Sequence, residues 1–154
     1  MSLPQEVSAS YQALVESGNI RYVTEPDAAA SIAAVSDGAA AAWAWSAYVE
    51  IVAAAVVTDP CWLAGVFLHL PVVEAFYGDF AIATGAAGSE VDIAEVPFDE
   101  ELFAVVEGKA HMHAFPHPIK ITGSPRLAVR LRKNTAASAA GCSLRLWLAE
   151  AIGT

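Results

Sequence analysis

The stretch A-I-A-T-G-A-A-G-S-E-V-D-I-A-E-V, residues 81–96, decides how the rest of the chain is read. Its two glycines, serine and acid invite comparison with a phosphate-binding loop. A P-loop needs four residues between its glycines and then Lys followed by Ser or Thr, so that amides and an ammonium meet the phosphates. Here two residues separate Gly85 from Gly88, and Glu90 follows Ser89, an acid where phosphate would have to sit. A dinucleotide fingerprint opens a helix, whereas the residues after Ser89 alternate. Phe80, Ile82 and Thr84 share one side before the glycines. Val91 and Ile93 share one side after them, with Glu90 and Asp92 on the other. Two alternating runs around a short glycine-bearing loop predict a β-hairpin.

The period of two recurs on both sides of this hairpin. In residues 42–52, Trp43, Trp45, Ala47, Val49 and Ile51 alternate with Ala44, Ser46, Tyr48 and Glu50, which reads as one half-buried strand. Residues 61–70 are apolar on both faces, as in a central strand, and Pro71 ends them. Downstream, F-P-H-P-I-K-I at 115–121 reads as a strand entered through prolines, which either lies at an edge or starts late. Residues 125–132 set Leu127, Val129 and Leu131 against Arg126, Arg130 and Arg132. Residues 142–148 turn Cys142, Leu144, Leu146 and Leu148 inward. Residues 98–113 read as irregular and 134–141 as a loop.

Before residue 31 the pattern differs. Val7, Tyr11, Leu14 and Val15 stand at helical spacing, so residues 1–30 read as an N-terminal arm, either a short helix ending at Gly18 or an extended segment. Residues 31–154 read as the folded domain. Seven or eight short strands with no βαβ rhythm predict an all-β protein. The architecture expected is an antiparallel β-sandwich, and at this size a jelly roll.

Composition narrows the function. Alanine supplies 33 of 154 residues, so the core must lean on larger side chains, including Trp43, Trp45 and Trp62. Trp147 lies on the face opposite the leucines and is the best candidate for an exposed tryptophan. The longest run without Asp, Glu, Lys or Arg is residues 60–73, short of the roughly 20 apolar residues of a spanning helix. The first residues lack the basic-then-apolar layout of a signal peptide, and a soluble protein made inside the cell is expected. The net charge of −9 disfavours nucleic acid. Sixteen of the 17 acids precede residue 108 and seven of the eight bases follow it, an asymmetry suited to docking on proteins or on further copies. Cys61 and Cys142 lie in apolar runs and read as buried thiols rather than a disulfide framework.

Catalytic and metal chemistry find little support. His111 and His113 would project from one strand face, and with His117 they are the candidate metal ligands. A jelly-roll metalloenzyme would add Glu74 or Glu107, neither in a recognisable spacing. Asp99, Glu100 and Glu101 lack the alternating ligands and glycine of a calcium loop. Glu90 and Asp92 show no partner for acid–base work and would point to water. No G-x-S-x-G elbow occurs. The expectation is a protein without cofactor or turnover.

Several segments together resemble small structural proteins of tailed bacteriophages. These combine a Trp/Tyr-x-Glu-Ile/Leu strand, a Gly-Ala-x-Gly-Ser-Glu-Val hairpin, a Phe-Pro-x-x-Ile segment and a Gly-x-Arg-x-Ala-x-Arg strand. This chain has S-A-Y-V-E-I-V at 46–52, A-T-G-A-A-G-S-E-V-D-I at 83–93, F-P-H-P-I-K-I at 115–121 and G-S-P-R-L-A-V-R-L-R at 123–132. Order and spacing agree over about residues 43–132. Ser124-Pro125 stands where one small residue is usual, and the His-rich stretch is additional. The resemblance implies a β-sandwich virion component, and a capsid decoration or cement protein is expected. It would assemble in the host cytoplasm and be carried on the particle, with the major capsid protein and other copies of itself, as a homotrimer, for partners and no membrane or nucleic acid. Arg126, Arg130, Arg132 and Trp147 are the candidate interaction residues, the arginines pairing with acids of the same or a neighbouring subunit. The alternatives are a tail-fibre or receptor-binding, lectin-like module and a jelly-roll metalloprotein.

Overall fold

The hairpin is present, and the whole sandwich is nested around it. The computed structural model describes residues 11–26, 33–35, 41–57, 60–69, 77–99, 111–123, 126–134 and 142–152. Its strands are β1 (Ile20–Glu25), β2 (Ala33–Val35), β3 (Val49–Val52), β4 (Cys61–His69), β5 (Tyr77–Thr84), β6 (Val91–Asp99), β7 (His111–Ile121), β8 (Leu127–Lys133) and β9 (Cys142–Ala151). β5 pairs antiparallel with β6 across the 85–90 loop. Outward from that tip, β4 pairs with β7, β3 with β8 and β1 with β9, all antiparallel. The chain is thus one long folded ribbon. Rolling it up adds two further seams, β4 against β9 and β5 against β8. The result is one sheet of order β1-β9-β4-β7, with β2 also paired to β9, and a second of order β3-β8-β5-β6. Eight antiparallel strands wrapped in this order are a jelly roll.

The core lies between the sheets and follows from alternation. Leu144, Leu146 and Leu148 of β9, Leu63, Val66 and Leu68 of β4, Phe80 and Ile82 of β5, and Leu127, Val129 and Leu131 of β8 are buried together. Each such side chain contributes roughly 1.5–3 kcal/mol by leaving water. Cys61 is buried here as a thiol. The side chain of Cys142 lies outside the described residues. β4 is interior, in line with its two-sided apolarity, and of the two readings of its prolines β7 takes the edge position rather than a late start.

Three expectations change. The alternating run 42–52 is not one strand, since pairing covers only Val49–Val52. Trp43 has φ of 63°, in the left-handed region, and is exposed rather than core. Residues 43–46 follow β8 by other bonds: Trp43 N–H to Lys133 O at 2.7 Å, and Ser46 N–H to Leu131 O at 2.8 Å. The Ser46 hydroxyl accepts from Leu131 N–H at 3.0 Å, so a side chain replaces a ladder carbonyl and the strict period is lost. Second, β7 begins at His111, not after 113. The extra residues are absorbed opposite Ala64, where the register jumps from Ile119 to Ala114. Third, Ile93 is a bulge residue, because Ile82 faces Ala94 while Ala83 faces Asp92. That bulge lets Asp92 and Glu95 share the outer face while Val96 enters the core.

Of the segment read as an arm, residues 11–17 form a helix, α1, closed by Gly18 at φ 72°. Residues 20–25 are β1, paired along their length with β9. Arg21 meets the buried Glu150 at 2.5 Å. Among the described residues no helix is long and apolar enough to cross a membrane.

Candidate functional site

The two outer faces of the sandwich are chemically unlike. On β3-β8-β5-β6, Arg130 and Arg132 of β8 and Arg126 just before it meet acids on or beside the neighbouring strands. Arg126 Nε donates to Glu50 at 2.6 Å and its Nη1 to Glu90 at 2.9 Å. Arg130 pairs with Asp92. Arg132 donates to Asp79 at 2.7 Å and to Glu95 at 2.5 Å. The acids on β6 lie one strand beyond β5, and the arginines reach them because β5 offers only alanine there. Ala81 and Ala83 are fully buried beneath the crossing guanidinium groups. The rings of Trp45 and Tyr48 complete the arrangement. The Arg130 guanidinium carbon stands 4.5 Å from the Trp45 centroid and 4.8 Å from that of Tyr48, and Arg132 stands 4.4 Å from Trp45.

Two expectations are corrected by this network. Glu90 and Asp92 do not point unpartnered to water, because the β5 alanines let arginines cross to them. Trp45 is not core, since it lies outside the sheet against arginines. Among the described residues the ladder joins three arginines to five acids, so it is mixed in charge with an acidic surplus.

The ladder also locks the hairpin tip. Gly88 N–H donates to Glu90 at 2.8 Å, and Ser89 N–H to Ala86 O at 3.0 Å. Gly85 takes φ of 123° at the strand exit, and an added Cβ would stand 2.8 Å from Ser89 O. The carboxyl of Glu90 is held below the usual carboxylate range by its own backbone N–H and, after partial opposition from desolvation, by Arg126 and the Gly88 N–H. Burial, then the bond donated to Asp92, raises the Tyr48 phenol. A depressed folded pKa stabilises the fold above the ordinary value near 4.3, and the contribution disappears as pH falls through the folded value. Glu90→Gln is therefore expected to lower the melting temperature at neutral pH, and the gap from the parent to close on acidification below about pH 4. Melting curves across that range check this.

The other outer face, on β1-β9-β4-β7, is aromatic. Trp147 is half-buried there, its ring 5.4 Å from that of Tyr22 and 6.4 Å from that of Phe67. Its position opposite the leucines is as the alternation of β9 predicts. Trp62 is fully buried on the same face, under Tyr11 of α1 at 6.0 Å, and the Tyr11 and Tyr22 hydroxyls share a hydrogen bond of 2.8 Å. Trp62 is therefore covered by the N-terminal segment rather than by the inter-sheet core.

The histidines are spread along the β7 edge. His113 is exposed, edge-on to Phe115 at 5.8 Å, and His117 is exposed within the out-of-register stretch. The side chain of His111 lies outside the described residues, as do Glu74 and Glu107. Among the described residues no group of three or more His, Cys, Asp or Glu is placed to hold a metal. The alanines at 81 and 83 had one signal in the sequence, small residues spaced by two on one strand, but the place of that strand between an acidic and a basic one is set by the sheet order. Asp79 and Glu95 as partners of Arg132 had none without the pairing.

No protein-family model matches the chain, and no curated protein matches it. Among solved structures it is similar to one of infectious bursal disease virus, Gx strain, at 12% identity and a TM-score of 0.38, over 88% of this chain and 33% of that one. The chain thus spans about a third of that neighbour's length.

Proposed function

We propose that this protein is a bacteriophage virion structural protein, a decoration or cement protein that binds the outer capsid shell. One observation carries the reading. Three of the four segments that resemble tailed-phage structural proteins are mutual partners in space. Tyr48 and Glu50 come from the first, Glu90 and Asp92 from the second, and Arg126 and Arg130 from the last; together they build one ladder. The resemblance therefore tracks a single structural unit, a locked hairpin tip on a jelly roll, rather than scattered matches. A rigid sandwich with mixed-charge and aromatic outer faces is suited to work by contact with a shell and with neighbouring copies, as a homotrimer.

Heads assembled without the protein provide the test. Purified protein added back is expected to sediment with them in a fixed ratio to the major capsid protein and to raise their resistance to heat and low salt. Sedimentation of the protein alone is expected to give a trimer. Heads that neither bind it nor gain stability, or its recovery with tails instead, would overturn the decoration reading.

A further inference from the structure

We propose that α1 is a releasable cover, which closes over Trp62, hinges at Gly18 and lifts away while the sandwich stays folded. The argument starts at the indole. Trp62 is 1% exposed, yet it stands on the outer face of its sheet, in one row with Lys120 of β7 and Ala149 of β9. Tyr11 of α1 lies over it, with ring centroids 6.0 Å apart. The cover shields the ring but does not serve its N–H. Nε1 is buried and finds no acceptor among the described residues. A buried donor without a partner forfeits the bond it would make to water. Lifting the cover restores that bond, so closure is opposed from beneath.

The helix itself is weakly held. Its seven residues, 11–17, are fewer than the roughly 12–15 at which an isolated helix becomes marginally stable. None of the seven is buried: Tyr11 and Leu14 are half-buried, and the other five are exposed. Two side-chain bonds stay within the helix, Gln12 to Glu16 at 3.1 Å and Ser17 to Leu14 O at 3.1 Å. Toward the sheet, Tyr11 contacts Trp62 and shares its hydroxyl bond of 2.8 Å with Tyr22. That bond lies at the surface, where water can replace it. Gly18 is exposed, with φ of 72° and nothing within 4 Å of an added Cβ, so rotation there meets no neighbour. Immediately beyond it the chain is fastened. Asn19 O accepts from Ile152 N–H at 3.0 Å, and β1 pairs with β9 from Ile20 onward. The boundary between loose and fixed chain thus falls at one residue. Exposure of the ring favours closure, whereas hydration of the indole N–H and release of α1 favour opening. The open form is a minor state reached without breaking a strand pairing. The virion reading is not required for this motion. Exchange in the isolated protein and binding to heads are separate measurements, so either can fail alone.

Native-state hydrogen exchange of the full chain provides the test. It is read by NMR at the Trp62 indole N–H, whose signal is identified by its loss in Trp62→Phe. The indole is expected to be at least about tenfold less protected than the amides of β4. Its exchange should not respond to low urea, because local opening exposes little surface. Tyr22→Phe removes the hydroxyl bond and keeps the ring, and is expected to speed indole exchange by about two- to tenfold. Tyr11→Ala removes the cover and is expected to speed it further, with exchange of the β4 amides unchanged. Indole protection equal to that of β4, indole exchange unaltered in both variants, or a Tyr11→Ala chain whose β4 amides lose protection together with the indole would each overturn the proposal.

Discussion

Replacing Gly78 with alanine is expected to destabilise the protein by about 3 kcal/mol, at the top of the usual range for overpacking, and to lower its melting temperature by roughly 10 °C. Gly78 lies on β5 directly opposite Lys133 of β8. A Cβ built on it would stand 2.0 Å from Arg132 O and 2.9 Å from Lys133 Cα. Both are backbone atoms of a central strand, so no side chain can swing aside. β8 would have to move, and that end of β8 bears Arg132, which meets Asp79 and Glu95, and Lys133 O, which accepts from Trp43. Gly88→Ala is the control. It sits in the hairpin loop at φ 84° with nothing within 4 Å of an added Cβ, so only the left-handed strain of about 1 kcal/mol applies. Chemical denaturation of the two variants separates steric collision from backbone strain. Equal losses would mean that β5 and β8 do not approach as closely as described.

What could be read in advance depended on whether one strand carried its own answer. The 81–96 hairpin did, because its loop glycines and both flanking alternations are local. So did Leu127, Val129 and Leu131 inside with arginines outside, and the leucines of β9. Readings failed where a contact between distant segments broke the local period. The Ser46 hydroxyl takes the place of a ladder acceptor for Leu131 N–H. The bulge at Ile93 shifts the phase by one residue. The stretch 115–118 loops out of register opposite Ala64. None of these has a signature within its own strand. The ladder was half visible: the arginine face was evident, but its acids required knowing that β5 lies between β8 and β6.

Two of the alanines have a structural explanation in the same terms. At 81 and 83 a small residue on the outer face lets an arginine lie flat across one strand and reach the next. On the other sheet Gly65 lets β7 come close, since an added Cβ would stand 2.5 Å from His113 O and 3.0 Å from Ala114 Cα, with Trp147 Cε3 at 3.2 Å. The arginine face is built by long side chains resting on short ones. Enlarging Ala83 would disturb that surface while leaving the inter-sheet core in place.

The core itself is tested one residue away from the aromatic face. Leu146→Ala is expected to lose about 2–5 kcal/mol, the range for a buried leucine whose cavity is not refilled. Leu146 is fully buried on β9, opposite Val66 of β4 and Glu25 of β1, between Leu144 and Leu148. It stands on the seam that closes the rolled ribbon, where the partners are far apart in sequence. Its neighbours there are held by two strands each, so inward collapse is restricted and the loss should fall in the upper half of that range. The urea midpoint is expected to fall with the slope unchanged, as for a stability change without a new unfolded state. Val91→Ala, at a side chain 65% exposed beside the hairpin tip, is the matched deletion and should stay within about 0.5 kcal/mol. A Leu146→Ala variant as stable as Val91→Ala would mean that β9 does not turn its leucines inward, and Trp147 would then not lie on the outer face. The same measurement therefore guards the reading of both faces.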